Sequence, residues 1–137
     1  LGIPVTHRLA GSSVTFVTGH EGIDKRGPSV NWQSLALATD GLVIYMGLHN
    51  LEYIVDELIA GGLDRSTSSA VIQQGTVTGQ RLLKAPLDHL VEKVILEGFI
   101  SPSIVIIGAA VDYQVEACIS APAEVTMPLS FDEAIPL

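Results

Sequence analysis

Apolar residues recur in this chain at two spacings, and the spacings assign its elements. After Asn50, Leu51, Ile54, Val55, Leu58 and Ile59 follow at intervals that keep them on one face of a helix. Asn50 can cap that helix with its side chain, and Gly61 with Gly62 can supply a left-handed stop. A second helix is predicted through Leu90, Val91, Val94 and Ile95, opened by Pro86 and Asp88 and ended by Gly98. Asn31 ahead of Trp32, Leu35 and Ala36 predicts a shorter one with an asparagine cap.

Elsewhere the pattern becomes that of strands. Residues 13–18 alternate around Val14 and Phe16 as a half-buried strand does, and Gly19 breaks the run. Residues 41–46 form an unbroken apolar run, predicting a buried strand. Residues 69–74 and 80–85 flank a short loop at 75–79, which predicts an antiparallel hairpin. Residues 103–108 are rich in isoleucine and valine, predicting a central strand covered on both faces. The polar stretch 20–29 reads as an exposed loop.

Strands alternate with helices, but the hairpin interrupts the alternation. The expected fold is therefore α/β, a single domain over 1–111 with a mixed β-sheet flanked by helices. Pro122, Pro128 and Pro136 exclude long helices near the end, so 112–137 is expected to be an extended tail.

Composition narrows the function classes. The chain has 137 residues, of which 47% are apolar and 16% charged, enough for one well-cored domain. Seven basic residues against fifteen acidic give a net charge of -8, which argues against nucleic acid and anionic membrane as partners. No apolar run reaches the length of a membrane span, and no charged segment followed by an apolar core opens the chain. Cys118 is the one cysteine, and no Cys/His cluster has zinc-like spacing. The expectation is a reducing, cytoplasmic setting with no structural metal and an inert Cys118. The chain begins at Leu1 rather than Met, which suggests a fragment.

Several catalytic classes lack their signature. No Gly-x-Gly-x-x-Gly follows a strand, so a nucleotide held in the Rossmann manner is not expected. Ser12 and Ser13 stand outside any Gly-x-Ser-x-Gly elbow. Asp56 and Glu57 lie beside the apolar stripe of the best helix and read as its solvated face. His49 and His89 stand at helix starts with local roles, and His20 has no partner nearby for a dyad. Arg81 and Lys84 have odd spacing on a strand, so they point to opposite faces.

What remains are residues where apolar strands end abruptly. Tyr45, Met46 and Gly47 close one strand, and Gly-Thr-Val-Thr-Gly-Gln-Arg at 75–81 follows another. Gly-Ile-Pro-Val-Thr-His-Arg at 2–8 delivers Arg8 on a proline-stiffened segment, and an Arg so held can clamp a carboxylate.

Together these three segments resemble the second of the two α/β domains of the tetrapyrrole methylases. The resemblance implies S-adenosyl-L-methionine as cofactor, lined by Tyr45 and Met46, with Gly75 against the adenosyl part where a side chain would collide. It implies uroporphyrinogen III as the substrate, methylated to precorrin-2 on the way to siroheme and cobalamin, with Arg8 contacting its carboxylates. Thr6 and His7 are then structural. It further implies a homodimer and a missing N-terminal domain that carries the other half of the cleft, so that this chain alone is inactive. The catalytic acid and base have no counterpart in these residues. Two alternatives stay open: a methylase of the same family acting on a later precorrin, and a noncatalytic α/β association module.

Overall fold

The computed structural model describes residues 1–19 and 30–115. The expectations for His20, the loop at 20–29, Cys118 and most of the tail fall outside them. Five strands, β1 (Thr15–Thr18), β2 (Leu42–Tyr45), β3 (Ser68–Gln73), β4 (Arg81–Pro86) and β5 (Ser103–Ile107), form one sheet in the order β1-β2-β5-β3-β4. β1 pairs parallel with β2, and the remaining pairings are antiparallel, so the sheet is mixed as expected. Helices α1 (Trp32–Ala38), α2 (Leu51–Ala60) and α3 (Leu87–Leu96) supply the second layer.

Alternation along the strands decides which residues meet the helices. Leu42 and Ile44 of β2 register with Ile107 and Val105 of β5, and Val105 with Val71 of β3. These side chains form one core with Trp32, Ile54, Leu58, Leu87 and Leu90 from the three helices. Each fully buried aliphatic side chain there is worth about 1.5–3 kcal/mol relative to exposure.

β5 is central, but among the described residues the three α-helices cover only one of its faces. On the opposite face Val43 and Ala70 are buried, whereas Phe16 is 56% exposed and Ile104 and Ile106 are half-buried. A 3-10 helix at Ala109–Tyr113 packs against β3 on that side, crossing the expected boundary at 111. An apolar run predicts burial without saying what provides it, and the described residues supply full cover on one face of β5 and partial cover on the other, short of the cover expected on both.

The helix ends follow from single residues. The Asn31 side chain accepts from the Ser34 N–H at 2.9 Å, capping α1 as expected. Asn50 does not cap α2 with its side chain, because a 3-10 turn at Leu48–Asn50 precedes that helix and the Asn50 amide instead donates to the Gly19 carbonyl at 2.7 Å. Gly62, at φ +100, provides the left-handed stop, while Gly61 is still right-handed. Every buried side-chain polar atom among the described residues has a partner. No helix among them is long and apolar enough to cross a membrane.

Candidate functional site

β2 and β3 both pair antiparallel with β5 and so run parallel to each other. Their carboxyl ends, at Tyr45 and Gln73, open on the same edge of the sheet as the start of β5. An open cleft of about 1060 Å³ lies there, at the strand ends where α/β sheets commonly hold ligands. Tyr45 and Met46 enter it from β2, Ile72 from β3, Gly75, Thr76 and Val77 from the hairpin loop, and Ile104 from β5. Tyr45, Met46 and Val77 are 45%, 61% and 59% exposed. Met46 therefore does not fill a gap in the core.

The backbone around this cleft is strained. Met46 (φ +53), Gln74 (φ +50) and Thr76 (φ +70) are the non-glycine residues in the left-handed region among those described, and all three line the cleft. Side chains disfavour this conformation, a β-branched Thr most of all. Each such residue costs about 1–3 kcal/mol, and such costs cluster at ligand sites.

The two motif glycines differ in what the fold asks of them. Gly47 is required by packing, since a Cβ there would sit 2.6 Å from Ile44 Cγ2. A Cβ on Gly75 would meet Ile72 Cγ2 at 3.4 Å, close to ordinary contact, and Gly75 is not left-handed. Gly75 lies in the turn between Gln74 and Val77, but the left-handed positions fall on its neighbours, Gln74 and Thr76, so its own backbone does not require a glycine.

The hairpin loop is tied from several sides. The Gln74 N–H donates to the Pro102 carbonyl at 3.0 Å, and the Thr76 N–H donates to Gln80 Oε1 at 2.6 Å. At the base of β4 the Arg81 guanidinium donates to the Glu97 carbonyl at 2.8 Å and stacks 4.2 Å over the Phe99 ring. Lys84 points to the other face and donates to the Val111 carbonyl. Arg81 thus belongs to the support of the loop and not to its wall.

Arg8 does not join this group. The Ser12 and Ser13 N–H groups and the Ser13 hydroxyl all donate to Asp40 Oδ2, which fixes the segment carrying Arg8 just ahead of β2. These bonds hold the Asp40 carboxyl below its usual range, the Ser13 hydroxyl contributing most. His7 stacks on Tyr113, just after β5, with ring centroids 3.9 Å apart, the structural role expected of it. Arg8 is consequently anchored at the opposite end of β2 from Met46, a strand length of about 13 Å away. It is exposed and forms no hydrogen bond or ion pair with the described residues.

Sequence reasoning missed His49 and the contribution of Gln74, Thr76 and Ile104 to the cleft. The helix-start position of His49 suggested only local work, and the positive φ values carry no sequence signal where the residue is not glycine. A smaller depression of about 290 Å³ lies near Lys84 and Asp112. Its polar groups already satisfy one another, Ser68 donating to Asp112 at 2.6 Å and Lys84 to Val111.

As a receptor, the cleft offers apolar walls and a glycine with clearance above it. No Lys, Arg, Asp or Glu is among its described lining residues. It suits a ligand with a flat apolar part better than a polyanion, and it supplies no carboxylate for proton transfer.

Residues 1–91 match the family described as Tetrapyrrole (Corrin/Porphyrin) Methylases. The uroporphyrinogen-III C-methyltransferase of Synechocystis is 43% identical over 111 residues, covering 81% of this chain and 42% of that protein. A uroporphyrinogen-III C-methyltransferase of Bacillus subtilis is 44% identical over 116 residues, covering 82% of this chain and 43% of its own length. The chain thus spans less than half the length of these relatives. The structure of a uroporphyrin-III C-methyl transferase from Thermus thermophilus complexed with S-adenyl homocysteine superposes with a TM-score of 0.69. That match covers 82% of this chain and 48% of the other at 23% identity, and it speaks to the fold.

Proposed function

This chain belongs to the tetrapyrrole methylase family, and from that membership we propose that it forms one wall of the cofactor cleft in an S-adenosylmethionine-dependent C-methyltransferase acting on uroporphyrinogen III. The observation that carries the reading is the convergence of Met46, Gln74 and Thr76, all in left-handed backbone, on one apolar cleft beside an unencumbered Gly75. Strained backbone held in place by its surroundings is a recurrent feature of ligand sites, and three such residues converge on this one cleft.

When bound, S-adenosylmethionine supplies an electrophilic methyl on a sulfonium sulfur. The residues of this chain bind and orient. Tyr45, Met46, Val77 and Ile104 present apolar surface that displaces water from around the ligand. Gly75 lets the ligand approach the backbone where a side chain would project into the cleft. Among the described residues the cleft walls carry no Lys, Arg, Asp or Glu, so the contribution read from them is positioning of the methyl for in-line transfer to a ring carbon. The catalytic acid and base are not assigned to this chain.

Arg8 is the proposed contact for a substrate carboxylate. Its exposed guanidinium, anchored away from the cofactor cleft, fits a tetrapyrrole large enough to extend past the sheet edge. A homodimer, and a second domain closing the cleft, complete the proposal.

The test is calorimetric titration of S-adenosylhomocysteine into this chain and into a protein extended upstream to the length of its relatives. Saturable binding by the extended protein, with weak or no binding by the 137-residue chain, is the expected result. No binding by either rejects the cofactor reading and favours the association module.

A further inference from the structure

Resting on the cofactor reading above, we infer that Gln80 is a positioning residue of the cleft: by accepting the Thr76 N–H it holds the hairpin loop in the strained shape that presents Gly75 to a ligand. Gln80 precedes β4 and takes no part in the strand ladder, so its side chain is not needed for sheet register. Its Oε1 lies 2.6 Å from the Thr76 nitrogen, the shortest hydrogen bond to the loop. The other bonds within the turn are weaker or come from the backbone: Val77 N–H to the Gln74 carbonyl is long at 3.4 Å, and Gln80 N–H meets the Val77 carbonyl at 3.1 Å.

Thr76 is the residue in most need of holding. It is β-branched and sits at φ +70, a conformation it leaves unless something outside its own backbone opposes relaxation. Among the described residues, the Gln80 side chain alone receives its N–H. The base of this brace is firm, because the next residue, Arg81, is fixed to the carboxyl end of α3 through the Glu97 and Gly98 carbonyls and the Phe99 ring. Gln80 therefore transmits a rigid reference from α3 to the loop, while its half-buried side chain is absent from the cleft wall.

The inference separates two roles within one motif. Gly75 and Thr76 meet the ligand, whereas Gln80 and Arg81 shape what meets it. Relaxation of Thr76 would move Gly75 and narrow the clearance above it. Affinity would fall without loss of the fold.

The experiment compares wild type, Gln80→Ala and Gln80→Glu in a protein extended upstream to the length of its relatives. Three quantities are read: S-adenosylhomocysteine affinity, amide hydrogen exchange at 75–79, and the thermal midpoint. Gln80→Ala is expected to weaken binding about tenfold, to accelerate exchange at Thr76 and Val77, and to leave the midpoint nearly unchanged. Gln80→Glu keeps an acceptor oxygen and is expected to bind within about twofold of wild type. Unchanged exchange at Thr76 in Gln80→Ala, or a Gln80→Glu protein as weak as Gln80→Ala, overturns the inference. Wild-type binding with an unaltered Gln80→Ala affinity removes Gln80 alone and leaves the cleft. A wild type that binds no ligand rejects the cofactor reading itself, and the link from Gln80 to a ligand falls with it.

Discussion

Gly19 packs so tightly on Gly47 that a Cβ on Gly19 would collide with the Gly47 Cα. This contact joins the carboxyl ends of β1 and β2 beneath the cleft, and two hydrogen bonds reinforce it. The Gly19 N–H donates to the Tyr45 carbonyl at 2.7 Å, and Asn50 reaches back to the Gly19 carbonyl at the same distance. The turn that presents Met46 is thus braced by its own neighbours.

Gly19→Ala is expected to destabilise the protein by about 1–3 kcal/mol, the range for forcing atoms into a filled site. Urea unfolding of the variant against wild type measures it. A change within about 0.5 kcal/mol, the range of ordinary surface substitutions, would mean that the two backbones can separate freely.

Gly75→Ala should behave in the opposite way. The nearest atom to the new Cβ is Ile72 Cγ2 at 3.4 Å, so stability should change by less than about 1 kcal/mol. Affinity for S-adenosylhomocysteine should fall about tenfold or more. A variant that binds normally, or one that unfolds, would leave Gly75 no role beyond the turn.

Much of this was legible in the sequence because hydrophobic period reports which face of an element is buried. The α2 stripe of Leu51, Ile54, Val55 and Leu58 and the hairpin around 75–79 both appear where the pattern put them. Asn31 capped its helix as expected, yet Asn50 did not, because the Gly19 carbonyl 31 positions earlier in the chain competes for its side chain. Such a partner is invisible to local reasoning. The cleft was half legible. Tyr45, Met46 and Gly75 stand on motifs at strand ends, but the left-handed turns at Gln74 and Thr76 go with one long-range tie, Gln74 to Pro102, and one side-chain bond within the loop, Thr76 to Gln80, that composition does not encode. Arg8 stood beside these residues as a motif, yet strand direction carries it to the far end of β2.

Asp40 makes the tie to the N-terminal segment dependent on pH. Its carboxyl is held below 3.8 by the bonds from Ser13 and Ser12. A carboxyl with a depressed folded-state pKa stabilises above its unfolded value, and that contribution disappears as pH falls through the folded value. The stability difference between wild type and Asp40→Asn should therefore be full at pH 7 and shrink below about pH 4. Denaturation at pH 7, 4 and 3 reads it, and a difference that stays constant would assign the tie to shape rather than charge.

Arg8→Ala should leave S-adenosylhomocysteine affinity within about twofold of wild type, because Arg8 is anchored at the other end of β2. In a protein extended upstream to the length of its relatives, it should raise KM for the proposed substrate, uroporphyrinogen III, about tenfold or more, the loss of a charge-assisted contact. An unchanged KM would remove Arg8 from the substrate site. A loss of cofactor affinity would place it in the cleft, against its anchoring.

The most direct test of the cleft follows backbone amide shifts while S-adenosylhomocysteine is titrated into a protein extended upstream to the length of its relatives. Saturable changes centred on residues 45–47 and 74–77 are the expected result. Changes centred instead on the depression near Lys84 and Asp112, with the β2 and β3 ends unmoved, would contradict the assignment of this cleft as the cofactor site.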